Sequence, residues 1–223
     1  MSRLEYYFGF NQFFTAGIFS KEILNPIEET VNESGDLIIT SYQNVPLAEI
    51  NGFEIEYEQV FEAIMDSPND LLVKFNYTET ESEVIVNPGD TYINSIGTVV
   101  DAQNLLANGR DTRLQGQSDT IANFQIGLDN LQNQTQATLI VNYVSDRVRA
   151  RGIDVLPDII EEPPLLVDFA FSKIYSYPEF ELKLSLELRN LLDEEYYASM
   201  RNIAIYDQYD LGTSASLGFK ISF

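Results

Sequence analysis

The chain contains neither cysteine nor histidine. Without cysteine it can build no disulfide framework and no thiolate zinc site, a composition that fits a secreted or periplasm-crossing protein. Without histidine it lacks His-based catalytic triads, His metal clusters and the usual general base near neutral pH. Positive charge is scarce as well: 13 Lys and Arg stand against 35 Asp and Glu, a net charge of −22. Such a surface repels a phosphate backbone, so no nucleic-acid partner is expected. No run approaches the ~18 consecutive apolar residues of a membrane-spanning helix. The opening Met1-Ser2-Arg3-Leu4-Glu5-Tyr6 lacks the basic start, apolar middle and small-residue cleavage site of a secretory signal. For an exported protein, the expectation is that a segment is missing upstream.

Strand-forming side chains are abundant. Of the 223 residues 44% are hydrophobic and 12% aromatic, with 13 Tyr and 14 Phe, a mixture that favours strands over helices. The dominant period is two. In Phe180 to Arg189, Leu182, Leu184, Leu186 and Leu188 alternate with Lys183, Ser185, Glu187 and Arg189, which a strand sorts onto opposite faces and a helix scatters. The same alternation marks Leu4 to Phe10, Phe14 to Ile18, Phe53 to Tyr57, Leu71 to Tyr77, Ala122 to Leu128, Leu139 to Tyr143, Val167 to Phe171 and Leu217 to Phe223. Nine strands are expected.

The connections alternate short and long. Short ones fall near Asn11-Gln12, Met65 to Asp70, Asn130 to Gln134 and Ser176 to Glu179, as hairpin turns do. Long ones run roughly Asn25 to Pro46, Asn87 to Gln117, Gly152 to Pro164 and Asp193 to Asp210, and all of them lie at one end. Short turns on one rim and long loops on the other describe an outer-membrane barrel. Aromatics gather at the strand ends, Phe10, Phe13, Phe61, Tyr175, Tyr177 and Phe223 on the turn side and Tyr196 and Tyr197 on the loop side, which suggests interfacial girdles. The expected fold class is therefore all-β, a segment of an antiparallel up-and-down transmembrane β-barrel. A bacterial barrel normally has an even strand count, so nine strands predict an incomplete barrel that lacks at least one earlier strand.

Several segments resemble TonB-dependent outer-membrane receptors. Leu4 to Glu29, LEYYFGFNQFFTAGIFSKEILNPIEE, looks like a mid-barrel hairpin of that family. Arg113 to Asn123, RLQGQSDTIAN, resembles the segment that opens a later strand. Leu186 to Tyr196, LELRNLLDEEY, is similar to the stretch before the last extracellular loop, and SASLGFKISF resembles the closing strand. The resemblance covers nearly the whole chain, in the family's order, and implies that residues 1–223 are the C-terminal part of the receptor barrel. It implies an outer-membrane location, contact with lipid, and uptake of a siderophore or similar small nutrient. TonB would be engaged only through a plug domain, and the expectation is that residues 1–223 hold neither the plug nor a signal peptide. It also implies that the closing strand, through Phe219, Ile221 and Phe223, carries the signal read by the barrel-assembly machinery.

Candidate ligand-binding residues are the loop arginines Arg110, Arg113, Arg147, Arg149 and Arg151, whose planar donor forks suit carboxylates or phosphates; pairing with neighbouring acids is the simpler reading. The acidic groups Glu28, Glu29, Glu33 and Asp36, and Asp154, Asp158, Glu161 and Glu162, offer oxygen ligands for calcium. They lack an EF-hand spacing, so a solvated acidic rim is expected, with no metal. Asp207 and Asp210 read the same way. Glu54, Glu56 and Glu58 share one strand face and read as a polar barrel lining, not as a glycosidase carboxylate pair. No catalytic residue and no cofactor are expected, since an outer-membrane hydrolase would want a histidine base. Asn76-Tyr77-Thr78 fits a glycosylation acceptor that has no meaning in a bacterial outer membrane. A passive outer-membrane pore or adhesin, and a soluble lipocalin-like barrel with its oily faces turned inward, remain alternatives.

Overall fold

A computed structural model describes residues 1–10, 12–34, 37–62, 68–93, 98–105, 111–153, 156–201 and 203–223. Along the chain the strands are β1 (Ser2–Gly9), β2 (Gln12–Leu24), β3 (Ile27–Ser34), β4 (Leu37–Asn44), β5 (Leu47–Phe61) and β6 (Asn69–Ile85). They continue with β7 (Thr91–Ile93), β8 (Val99–Asp101), β9 (Thr120–Asn130), β10 (Thr135–Val144), β11 (Arg147–Gly152) and β12 (Ile159–Glu162). The last are β13 (Leu166–Ser176), β14 (Glu181–Arg189), β15 (Glu195–Met200), β16 (Ala204–Asp210) and β17 (Ser214–Ser222). The one helical piece described is a 3-10 turn at Ala102–Leu105. No helix among the described residues is long and apolar enough to cross a membrane.

The nine periodic segments become one antiparallel sheet in the order β1-β2-β5-β6-β9-β10-β13-β14-β17. Among the described residues its two outermost strands each have one neighbour, so the wall they form is open and does not close into a barrel. With nine strands alternating in direction, β1 and β17 run the same way and cannot pair antiparallel with each other. Side chains sort into rows across the wall. Tyr6, Phe14, Tyr57, Phe75, Phe124, Val141 and Val167 stand directly opposite one another in sequence along the sheet. The next row, on the other face, is Glu5, Thr15, Glu56, Asn76, Asn123 and Asn142. Period-two alternation thus yields one apolar and one polar face, and the apolar face is left uncovered. Leu217 and Phe219 are each about two-thirds exposed, at 64% and 67%.

The alternation changes phase partway up the wall. In β5 the odd positions Phe53, Ile55 and Tyr57 are apolar while Glu54, Glu56 and Glu58 fill the even ones; above Gly52 the even positions Ala48 and Ile50 are buried, and Glu49 and Asn51 take the odd ones. β6 does the same, from Val73, Phe75 and Tyr77 to buried Ser82 and Val84 with Glu79, Glu81 and Glu83 on the opposite face. The β5–β6 ladder is unbroken from Leu47 opposite Ile85 to Phe61 opposite Leu71, so the inversion is one of side-chain chemistry and not of backbone register. At Gly52 the inner face carries no side chain, and the Phe19 ring lies over it; a Cβ there would meet the ring at 2.7 Å and the Glu79 carbonyl at 2.4 Å.

The long connections are more ordered than their composition suggests. Residues 25–46, 145–165 and 190–213 carry strand pairs that join in a second sheet, β16-β15-β12-β11-β3-β4, antiparallel except where β11 meets β3. Two of these hairpins keep the register of the wall strands below them. Leu24 faces Leu47 and, three residues on, Ile27 faces Asn44. Asn25 N–H to the Pro46 carbonyl at 3.1 Å and Val45 N–H to the Pro26 carbonyl at 2.9 Å carry the ladder across the gap. Likewise Asn142 faces Leu166 and Arg147 faces Glu161, five residues further along each arm. Pro26 and Pro46, which cannot donate to the ladder, mark the break between wall and loop.

Every buried apolar side chain among the described residues belongs to this loop end. Val45, Ala48, Val84, Tyr92, Ala102 and Ile153 form one cluster, and Val31, Ala150, Ile159 and Ala198 another. Three expectations need correction. Tyr196 and Tyr197 belong to β15 in the loop sheet, where Tyr196 stacks on Tyr209 at 4.6 Å, and do not ring the wall. Phe13 lies on the polar face, opposite Tyr7 and Glu58. Glu28 and Asp158 are not a solvated rim: both are buried. Asp36, Asp154 and Arg110 lie outside the described residues.

Candidate functional site

The chemistry of the molecule is concentrated where the loops meet above the wall. The segment that precedes β9 runs beside the upper part of β6: Val84 N–H donates to the Thr112 carbonyl at 2.7 Å and Thr80 N–H to the Asp119 carbonyl at 2.8 Å. Gly116, at φ +75°, makes the turn in this segment, a left-handed conformation that glycine adopts without Cβ strain. Its N–H reaches the Val148 carbonyl at 2.8 Å, and Gln117 and Ser118 bind Thr80 and the Ser145 carbonyl. The RLQGQSD stretch is therefore a structural junction between β6, β11 and Ser145, which follows β10.

Two arginines anchor the junction. Arg151 is wholly buried against Glu28, donating Nε to Oε2 at 2.5 Å and Nη2 to Oε1 at 2.9 Å. Its remaining reach is filled by backbone, the Asp111 carbonyl at 2.7 Å and the Arg113 carbonyl at 2.9 Å. Glu28 also accepts Gln115 N–H at 3.1 Å, and Gln115 in turn accepts Glu29 N–H and donates to the Arg149 carbonyl. One ion pair thus ties β3, β11 and the segment before β9. Burial works against the charge on Arg151, but the hydrogen bonds and field of Glu28 outweigh it, so the guanidinium pKa is raised. Asp158 completes the junction, accepting Gly152 N–H at 3.0 Å and Asp111 N–H at 3.2 Å.

Arg113 faces three carboxylates, Asp111 at 2.8 Å, Asp146 at 2.9 Å and Asp119 at 3.2 Å. The acids respond differently. Burial pushes Asp111 up, yet the bidentate Arg113 fork overrides it and its pKa is lowered. At Asp119 burial wins over the more distant guanidinium and the pKa is raised. Open clefts of about 560 Å³ and 650 Å³ flank Arg113. Asp146, Tyr143, Glu162 and Arg201 line the first; Phe53, Glu79, Glu81 and Asp119 line the second.

The other loop arginines are also engaged. Arg147 pairs with Glu161 at 2.8 Å. Arg149 pairs with Asp207 at 3.2 Å, bonds the Tyr196 hydroxyl at 3.0 Å, and lies 5.9 and 5.3 Å from the centres of the Tyr196 and Tyr206 rings. Each described member of the arginine group therefore binds an acid of this chain, and Arg151 is sealed from solvent. The last connection is fastened by Asn190, at φ +52°, whose amide spans the Glu194 and Gly212 carbonyls and the Glu194 N–H. Gln43 is an exception to this saturation: it is buried opposite Glu28, and among the described residues neither amide atom finds a hydrogen-bond partner.

On the polar face of the wall, Arg3 bonds Glu5 at 3.0 Å and lies 3.9 and 3.8 Å from Glu54 and Glu56. Lys74 pairs with Glu58 at 3.0 Å, and Asn123 donates to Asn76 at 2.7 Å. Phe219 and Ile221 stand in β17 and Phe223 follows it, all exposed, with Phe223 6.5 Å from Phe180. No group of three or more acidic side chains among the described residues is arranged to hold a metal ion. The roles of Gln115, Asn190 and Glu28 were not marked by composition or spacing. No protein-family model matches the chain, and a comparison with curated proteins finds no match.

Proposed function

We propose that the chain forms part of the wall and outer loops of a bacterial outer-membrane β-barrel that takes up a small nutrient, of the TonB-dependent receptor kind its sequence resembles. The observation that carries this reading is the two-faced wall. A continuous apolar face, uncovered from β1 to β17, backs onto a face of paired charges and amides. A soluble lipocalin-like barrel turns its apolar face inward, and a monomeric soluble protein rarely leaves so large a patch in water. In lipid the same arrangement is favourable, with hydrocarbon on one side and a wet lumen on the other.

The phase inversion supports the same reading. On the apolar face of β5 the stretch from Phe53 to Phe61 is nine residues, close to the roughly 9–11 residues of a tilted membrane-spanning strand. Glu49 and Asn51 then take over on that face, as expected where a strand leaves hydrocarbon. The loop hairpins and the Arg113 clefts lie on the side where an outside ligand would arrive. Closing such a barrel requires an odd number of further strands between β1 and β17. A siderophore-like solute as cargo, coupling to TonB through a plug domain, and recognition of the Phe223 end by the barrel-assembly machinery belong to this proposal.

The absence of cysteine makes a direct test available. Single cysteines at Phe169, Ala170, Phe171 and Ser172, each labelled with an environment-sensitive dye in lipid vesicles, should report lipid, water, lipid and water. A flat response along β13, or a chain monodisperse without detergent, would overturn the membrane assignment.

A further inference from the structure

We infer that β4 is a docking edge for an extended polypeptide segment with apolar and basic side chains. β4 lies at one end of the loop sheet, and among the described residues its ladder partner is β3 alone. Alternate residues of such an edge turn N–H and C=O groups away from the sheet, and an extended backbone is what satisfies them in series. Natural edges are normally protected by charge, proline or a bulge. From Leu37 to Asn44, LIITSYQN carries no charged residue and no proline, in a chain with 48 charged side chains, 13 basic and 35 acidic. Its pairing with β3 runs from Ile27 opposite Asn44 to Ser34 opposite Leu37 without a bulge.

The opposite end of the same sheet shows the contrast. β16 carries Asp207 and Asp210, and its pairing with β15 is interrupted by a bulge at Ala198/Ser199. β4 has neither device. Its side chains are apolar and exposed on both faces: Leu37 69%, Ile38 48%, Ile39 44% and Tyr42 68%. The far end of the strand turns inward, with Gln43 and Val45 buried, so the open stretch is Leu37 to Tyr42.

Electrostatics selects the occupant. A second copy of this chain would bring a further −22 to an already acidic surface, which opposes self-pairing at low salt. A segment that alternates apolar and basic residues gains the ladder, covers the exposed Ile and Leu side chains, and meets the acidic surroundings with opposite charge. This inference does not depend on the transport reading.

The test uses the whole chain folded in detergent micelles and a fluorescein-labelled peptide of alternating lysine and isoleucine, read by anisotropy at about 0.15 M salt. Saturable binding is expected, with a peptide of the same composition in block order binding more weakly. Thr40→Pro removes a ladder donor and Ile39→Lys places a repelling charge on the edge; each should weaken binding roughly tenfold or more. Ile205→Lys on β16 should leave it unchanged, and an unaltered far-ultraviolet strand signal checks that each variant is folded. Ile39→Lys keeps the test decisive if Thr40→Pro does not fold. Equal binding by wild type and Ile39→Lys overturns the inference. So does a wild-type chain that self-associates, becomes monomeric with Ile39→Lys, and binds no peptide.

Discussion

The loop end and the wall solve opposite problems with the same secondary structure. In the loop sheet, apolar side chains such as Val31, Ile159 and Ala198 are buried and charge is paired inside. In the wall, apolar side chains such as Leu217 and Phe219 stay on the outside. The first half is built as water-soluble proteins are; the second fits a non-aqueous surrounding. The crossover lies within single strands, at Gly52 in β5 and between Thr78 and Ser82 in β6. On the membrane reading proposed above, one continuous ladder serves two solvents because the side-chain phase switches at the border.

The largest expected effect that separates the halves is at Arg151. Arg151→Met leaves Glu28 buried without its partner, at a cost of about 3–5 kcal/mol. Hydrogen exchange should rise across Ile27–Asn44 and Arg147–Gly152 and stay unchanged in β9 and β10. Adding Glu28→Leu should restore most of the protection; equal loss in wall and loops would break the distinction. Next comes a pair of adjacent wall positions. Phe171→Lys on the apolar face should cost about 2–4 kcal/mol of folding free energy in bilayers, while Ser172→Lys, two strands from Asp129 on the polar face, should be nearly neutral in denaturant titrations. Equal costs would remove the two-solvent account.

Smaller effects sharpen the loop half alone. Gln43→Met replaces an amide whose buried atoms have no partner among the described residues, and should raise loop stability by about 1 kcal/mol, read as slower proteolysis of the β3–β4 hairpin. The smallest is a pH effect. Asp111 has a folded pKa below its unfolded value of roughly 3.9, so its contribution is fully present above that unfolded value and is lost as pH falls through the lower folded one. Loop protection should decline below about pH 4, and Asp111→Asn should flatten that decline.

The wall was legible because each strand has one hydrophobic face, and alternation is a local property. Val167 to Phe171 reads as a strand without knowledge of its neighbours. The loop sheet was less so, since its strands are short and their partners are remote. Arg147, Arg149 and Arg151 read as a basic group, yet the intervening Val148 and Ala150 are the core side chains of β11. Glu28 and Arg151 are 123 residues apart, and nothing in the spacing of 35 acids indicates which one an arginine will meet. Asn25-Pro26 and Val45-Pro46 looked like loop boundaries; they are one step of a ladder whose register passes through them.

That unbroken register restricts how the protein can change in evolution. Adding one residue between Leu24 and Ile27 would turn Ile27–Ser34 over and put Glu28 on the wrong side of Arg151, and adding one between Asn44 and Leu47 would turn Leu37–Asn44 over against it. Length variation in this hairpin is admissible beyond the pair Ser34–Leu37, or as matched gains in both arms. Related chains should therefore differ there in how far the hairpin extends, while the residues next to Pro26 and Pro46 keep their count.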